Sequence, residues 1–223
     1  MAAMVFQAEQ MRSGHERWVA EKVAAARAAH VDSVRRSFPL LGALAAPFAG
    51  LSHDLREARL AGRGARGESA VSSGLARLLP GAWTVIPGAC VAWKGRTAEV
   101  DVLAVGPPGV AVVEVKAWRG DFWVEGAAWY RCAGGTWEPC RSPAEQVSRA
   151  AHLVAGLLRS LSLESAMVCP AVVLAGSCRV RGSGSPVPVY ADVEHLVRDL
   201  EGLPAVLDSE GVRRVLRTLG CCG

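Results

Sequence analysis

The chemistry-bearing residues of this chain concentrate in one stretch. Glu99-Val100-Asp101 is followed, after an apolar run and the turn Gly106-Pro107-Pro108-Gly109, by Glu114-Val115-Lys116. Read as a hairpin turning at Pro107-Pro108, the stretch sets Asp101 opposite Glu114 and Glu99 opposite Lys116. Side chains alternate along a strand, so these four project from one face and Val100, Val102, Val113 and Val115 from the other. Strands this apolar belong in a sheet covered on both faces. Two opposed carboxylates repel and are costly to bury. A divalent cation between them removes the conflict, and Mg²⁺ (or Mn²⁺) takes carboxylate oxygens while leaving positions for water and phosphate. A nearby ammonium can stabilise an attacking hydroxide or the transition state. The spacing therefore describes phosphodiester hydrolysis. An ordinary Glu–Lys ion pair at a sheet end fits the same residues. An asymmetric loop or a bulge would shift the pairing, and Pro-Pro is an unfavoured two-residue hairpin loop.

The elements that position these residues follow from the flanking pattern. Residues 5–36 read as a long helix and 52–60 as a second. Gly62-Arg63-Gly64-Ala65-Arg66-Gly67 reads as a glycine-rich hinge between a helical extension, residues 1–62, and an α/β domain, residues 63–223. A helix from Glu68 to Leu79 places Glu68, Val71, Leu75 and Leu78 on one stripe, pointing the glutamate toward the sheet. A first-turn glutamate that only complements the helix dipole is the plainer reading. Strands are expected over 83–91, 98–105 and 110–118, with Pro87-Gly88 breaking or bending the first. Short strands at 122–124 and 129–132 flank a turn at Gly126. Ser142-Pro143-Ala144-Glu145 is a helix start, with Ser as N-cap, Pro at N1 and Glu at N3. Gln146 lies in that first turn. A strand over 168–175, a short one over 187–190 and closing helices over 192–201 and 209–219 complete a mixed sheet flanked by helices.

Composition narrows the class. The chain is 51% hydrophobic with mean hydropathy +0.22, which excludes a disordered chain. The net charge of +4 permits a polyanionic partner without demanding one. Only Lys22, Lys94 and Lys116 are lysines, so a lysine ending an apolar strand stands out. Seven cysteines without a C-x-x-C read as reduced thiols of a cytoplasmic protein. Cys132 and Cys140 could meet across a hairpin. Scattered histidines offer no zinc spacing. The apolar run 38–51 is too short and too interrupted for a membrane span.

Taken together, the ordered motifs resemble the nuclease-related (NERD) domain, a branch of the PD-(D/E)xK phosphodiesterase superfamily. They are Gly64-Ala65-Arg66-Gly67-Glu68, Glu99-Val100-Asp101, the Gly-Pro-Pro-Gly turn and Glu114-Val115-Lys116 with Trp118 and Gly120. Gly126 with Trp129, and Ser142-Pro143 with Gln146, complete the series. The family more often has Asn where Ser142 stands; both cap a helix well. The resemblance implies an α/β, restriction-endonuclease-like fold and a nuclease acting on DNA, in DNA processing or defence. It implies metal binding by Asp101 and Glu114 with help from Glu68, a catalytic Lys116 and a site-lining Gln146.

A nuclease must also hold phosphates. Arg66, Arg119 and the basic, aromatic loop Trp93-Lys94-Gly95-Arg96 are the candidate contacts, with Trp93 or Trp118 stacking on a base. Arg56, Arg59 and Arg63 approach the same hinge. Solvated surface charges and packed tryptophans are the plainer reading of each residue singly. Two other classes remain open. One is a nucleic-acid-binding module on the same fold without turnover. The other is a protein-interaction or membrane-proximal module in which the N-terminal helices carry the function, through self-association or lipid binding.

Overall fold

The computed structural model describes residues 4–5 and 62–219. The readings of residues 5–36, 38–51 and 52–60, with Arg56 and Arg59, otherwise lie outside the described residues. Strand β1 is Met4–Val5, and it pairs in parallel with Thr84 and Val85. A strand at Val5 was not anticipated, since the surrounding segment carries helical composition. Helix α1 spans residues 62–78. Then follow β2 (Thr84–Trp93), β3 (Arg96–Gly106), β4 (Gly109–Lys116), β5 (Gly120–Glu125), β6 (Ala128–Ala133) and β7 (Thr136–Cys140). Helix α2 (Pro143–Ser160), β8 (Met167–Leu174), β9 (Cys178–Ser183), β10 (Val189–Tyr190), α3 (Val193–Glu201) and α4 (Ser209–Thr218) complete the order. The residues from Arg66 onward belong, with β1, to one compact unit.

Six strands form a mixed sheet in the order β1-β2-β3-β4-β8-β10. Its two faces are covered separately. Leu103, Val105, Val110 and Val112 pack against α2 and α4 through Val147, Val154, Leu158 and Val215. Ala104, Ala111, Val113 and Val115 pack against α1 and α3 through Val71, Leu75 and Leu196. Strand β4 lies between β3 and β8, so its residues Val110 to Val115 are all buried. The expected pairing of the central hairpin holds from Gly106↔Gly109 to Val102↔Val113. Pro107-Pro108 does form its two-residue loop. The Pro107 carbonyl accepts from the Val206 and Leu207 amides, and the Pro108 carbonyl accepts from Met167. Gly109, at φ +143, passes so close that a Cβ would lie 2.1 Å from the Met167 carbonyl oxygen.

Three features depart from the sequence reading. The glycine-rich segment 62–67 is helical and continues into α1, not a hinge before it. Gly67 shows why glycine is tolerated there: a Cβ would lie 3.0 Å from Ala117 Cβ and 3.3 Å from Ala175 Cβ. Close helix–sheet approach outweighs helix propensity. Second, Pro87-Gly88 bends β2, one of the two outcomes expected, but also reverses its alternation. Ile86 and Ala89 face the same cluster, so the alternation reverses between them, with Gly88 at φ +62. Strand β3 reverses with it, because Val100 joins Leu103 on the α2 face rather than Val102 on the α1 face. Third, β5, β6, β7 and β9 form their own sheet in the order β7-β6-β5-β9. Strands β7 and β9 lack the apolar alternation that marks a strand. In that sheet Cys132 pairs with Trp137 and Cys140 with Trp129, so the two cysteines are not opposed.

Candidate active site

Strands β4 and β8 run parallel, with Lys116 paired to Leu174 at their C-terminal ends. Two helices deliver their early turns to that end. Gly67 of α1 lies against Ala117 and Ala175, the residues just past the two strands. Helix α2 connects β4 to β8, so its N-terminus lies at the same end. Its cap is the expected one: Ser142 Oγ accepts from the Glu145 amide at 3.2 Å, with Pro143 in the first turn.

Glu114 is the centre of this arrangement. It is 3% exposed, on a strand that is apolar apart from Glu114 itself and the terminal Lys116. Burial and the negative charge of Asp101 raise its carboxyl to about 7. Lys116 and Arg141 pull the other way, and Lys116 Nζ donates directly to Glu114 Oε1. Asp101 is held differently. The β3–β4 ladder stops at Val102↔Val113, and Asp101 Oδ2 accepts from the Val115 amide at 2.7 Å. A side chain thus replaces the next rung of the ladder and fixes one carboxylate beside the other. Glu99 does not share this face. It is exposed, pairs across β2 with Cys90, and follows the reversal at Asp101; no Glu99–Lys116 rung forms.

The other candidate residues divide into two groups. Glu68 is half-buried next to Gly67, and Gln146 is half-buried in the first turn of α2, so both belong to the Lys116 end. Arg66 and Arg119 are exposed and flank the same end by chain adjacency. Trp93, Lys94 and Arg96 lie elsewhere. The Trp93 ring covers Gly156, where a Cβ would lie 2.5 Å from it, and meets His152 edge-on at 6.4 Å. Gly156 is ten residues beyond Gln146, about 15 Å along the helix. Arg96 stands five residues before Asp101, about 17 Å of extended strand. Lys94 Nζ sits 4.7 Å from the Trp93 centroid, so this loop is a packed aromatic-cation cluster. Trp118 stacks on Phe122 at 4.4 Å and meets Trp129 edge-on. Arg141 was missed. Its signal was present: it immediately precedes the N-cap of the helix that follows the active strands.

Among the described residues, no three His, Cys, Asp or Glu side chains converge as a ready-made metal cage. The Asp101–Glu114 pair suits Mg²⁺, which commonly takes one or two protein carboxylates and keeps water and phosphate oxygens. The raised Glu114 carboxyl is the telling observation. Burial is its first cause and Asp101 its second, and a cation bound between the two carboxylates would favour the ionised form.

A mixed sheet covered by helices, with an acidic pair and a lysine on its two central strands, defines a restriction-endonuclease-like α/β protein. Comparison with known families extends this. Residues 63–175, just over half of the chain, match the nuclease-related domain, and the chain belongs to that family. It is also 30% identical over 135 residues to a protein of Streptomyces coelicolor named as the probable kinase PglW. That match takes in 56% of this chain and only 9% of the relative. No solved structure matches the chain. No helix among the described residues is long and apolar enough to cross a membrane.

Proposed function

We propose that the chain is a metal-dependent phosphodiesterase that cleaves DNA. The observation that carries this reading is Glu114: a carboxylate 3% exposed, placed against a second carboxylate, with a lysine bonded to it. A purely structural strand gains nothing from that arrangement, because an apolar residue would be more stable there. Asp101 and Glu114 would hold Mg²⁺ or Mn²⁺. When bound, the ion polarises the scissile phosphate and lowers the pKa of a water. The chain's own residues supply the rest. The Val115 amide fixes the orientation of Asp101. Lys116, anchored on Glu114, orients the attacking water or takes up its charge. Gln146 and Glu68 line the site, and Arg66, Arg119 and Arg141 hold the backbone phosphates.

The second reading is a nucleic-acid-binding module without turnover. It is favoured by the relative, in which the matched stretch is a small part of a much longer protein named as a kinase. Supercoiled, linear and single-stranded DNA incubated with Mg²⁺, Mn²⁺ or a chelator separates the two. Metal-dependent cleavage of any substrate supports the enzyme. DNA binding without cleavage under every condition overturns it in favour of the module.

A further inference from the structure

The two residues that join β2 to β3, Lys94 and Gly95, have φ of +49 and +74. They make the tight turn of a hairpin whose last pair is Trp93↔Arg96. Opposed residues of an antiparallel pair share a face, so Arg96 lies on the same side as Trp93. That side meets α2. The Trp93 ring sits on Gly156, with the Arg159 guanidinium 6.0 Å and Lys94 Nζ 4.7 Å from its centroid. Arg149, His152, Gly156 and Arg159 follow at i, i+3, i+7 and i+10, one stripe of the helix. Lys94, Arg96, Arg149 and Arg159 are exposed, and none of them forms an ion pair among the described residues. Arg179, Arg213 and Arg217, by contrast, each have a carboxylate. Ala98 and Val100 pack toward α2, so Glu99 between them projects from the other side of β3. Glu145, one turn before Arg149, makes no ion pair with it.

We infer that this surface, made by the β2–β3 hairpin and the Arg149–Arg159 stripe of α2, binds the phosphate backbone of double-stranded DNA. Cations without balancing acids are complementary to a polyanion. Two features select a duplex backbone. The Trp93 ring is taken up by Gly156 and two cations, so it holds charges in place rather than offering a face on which a base could stack. Arg149 and Arg159 stand about 15 Å apart along the helix, enough to reach both backbones across a major groove about 12 Å wide. The surface rests on the phosphodiesterase reading for the choice of DNA as the polyanion. It lies about 17 Å from Asp101 along β3, or about five base pairs, so it would grip DNA that flanks the cleaved bond.

The test is fluorescence anisotropy of a labelled duplex of about 20 base pairs, titrated with the whole chain in chelator over a series of salt concentrations. Lys94→Asn with Arg159→Gln removes two charges from the surface, and Asn suits the left-handed backbone at position 94. Arg77→Gln with Arg198→Gln removes two exposed charges from α1 and α3, on the other face of the sheet, and is the matched control. Should the first pair not fold, Arg96→Gln with Arg149→Gln takes its place. The expected result is binding about tenfold weaker in the surface variant and within about twofold of the parent in the control. The slope of log affinity against log salt should fall by about two in the surface variant alone. Unchanged affinity in the surface variant, or an equal loss in both, overturns the surface. A single strand of the same length held more tightly than the duplex overturns the duplex as partner. Polyglutamate bound through Lys94 and Arg159, with DNA left unbound, overturns nucleic acid in favour of an acidic protein. Because no cleavage is read, failure of the nuclease reading would show separately, as a chain that grips DNA through this surface and leaves it intact with metal present.

Discussion

Replacing Glu114 with glutamine should make the metal-free protein more stable at high pH, and the gain should depend on pH in a defined way. The Glu114 carboxyl is raised from 4.5 to about 7 by burial and by Asp101. Between those values the folded state holds a proton that the unfolded state releases. The contribution of this group to stability therefore falls as pH rises, from about 4.5 until the folded carboxyl is ionised. At about 1.4 kcal/mol for each pH unit of that gap, the full loss is about 3 kcal/mol. Glutamine keeps the shape and an acceptor for Lys116 but carries no charge. Urea unfolding of parent and Glu114→Gln in chelator, from pH 4.5 to 8.5, should show the difference moving about 3 kcal/mol in the variant's favour. Below about pH 4.5 the difference should be flat. Mg²⁺ should then restore the parent alone, by about 2.7 kcal/mol at a hundred times its dissociation constant. A difference that does not change with pH would refute the burial of an ionisable Glu114 beside Asp101 on which the site is argued.

Asp101 has two separable roles. Asp101→Asn keeps an acceptor for the Val115 amide and should leave stability within about 1 kcal/mol. Asp101→Ala orphans that amide and should cost about 1–3 kcal/mol by chemical denaturation. Both should lose cleavage about equally; retained activity in Asp101→Asn would argue against a need for its charge. Gly67→Ala should lower the melting temperature, although alanine in a helix ordinarily stabilises by about 0.5–1 kcal/mol. The new Cβ would press on Ala117 and Ala175, whose own Cβ atoms are fixed to the backbone. A raised melting temperature would show that α1 can move away from the strand ends.

The central hairpin was legible because burial on two faces leaves few reasons for a carboxylate. In such a strand Glu114 and Lys116 could be read residue by residue, and the pairing followed from the loop. The N-cap of α2 was legible for a similar reason, since Ser-Pro-x-Glu encodes a local hydrogen bond. The reversal of alternation at Asp101 was not legible. It depends on Gly88 adopting a positive φ on the neighbouring strand, and on a side chain taking the place of a ladder rung. That reversal moved Glu99 and Val100 away from their expected faces. Strands β7 and β9 escaped because Thr136–Cys140 and Cys178–Ser183 are largely exposed and carry no hydrophobic period. The Trp93-Lys94-Gly95-Arg96 loop was assigned to substrate on its basic, aromatic composition and its place just before the acidic strand. Strand β3 runs extended from Arg96, so the loop stands about 17 Å from Asp101. Arg141 becomes a candidate functional residue only once the crossover brings the α2 N-terminus to the strand ends.

The most direct test of the site is single-turnover cleavage of one defined DNA by parent, Glu114→Gln and Lys116→Met, at pH 8 with Mg²⁺, each variant first shown to be folded. The expected result is metal-dependent cleavage by the parent and a loss of about a hundredfold or more in each variant. Cleavage at the same rate by all three would contradict the account, because the chemistry would then lie outside the Asp101–Glu114–Lys116 site.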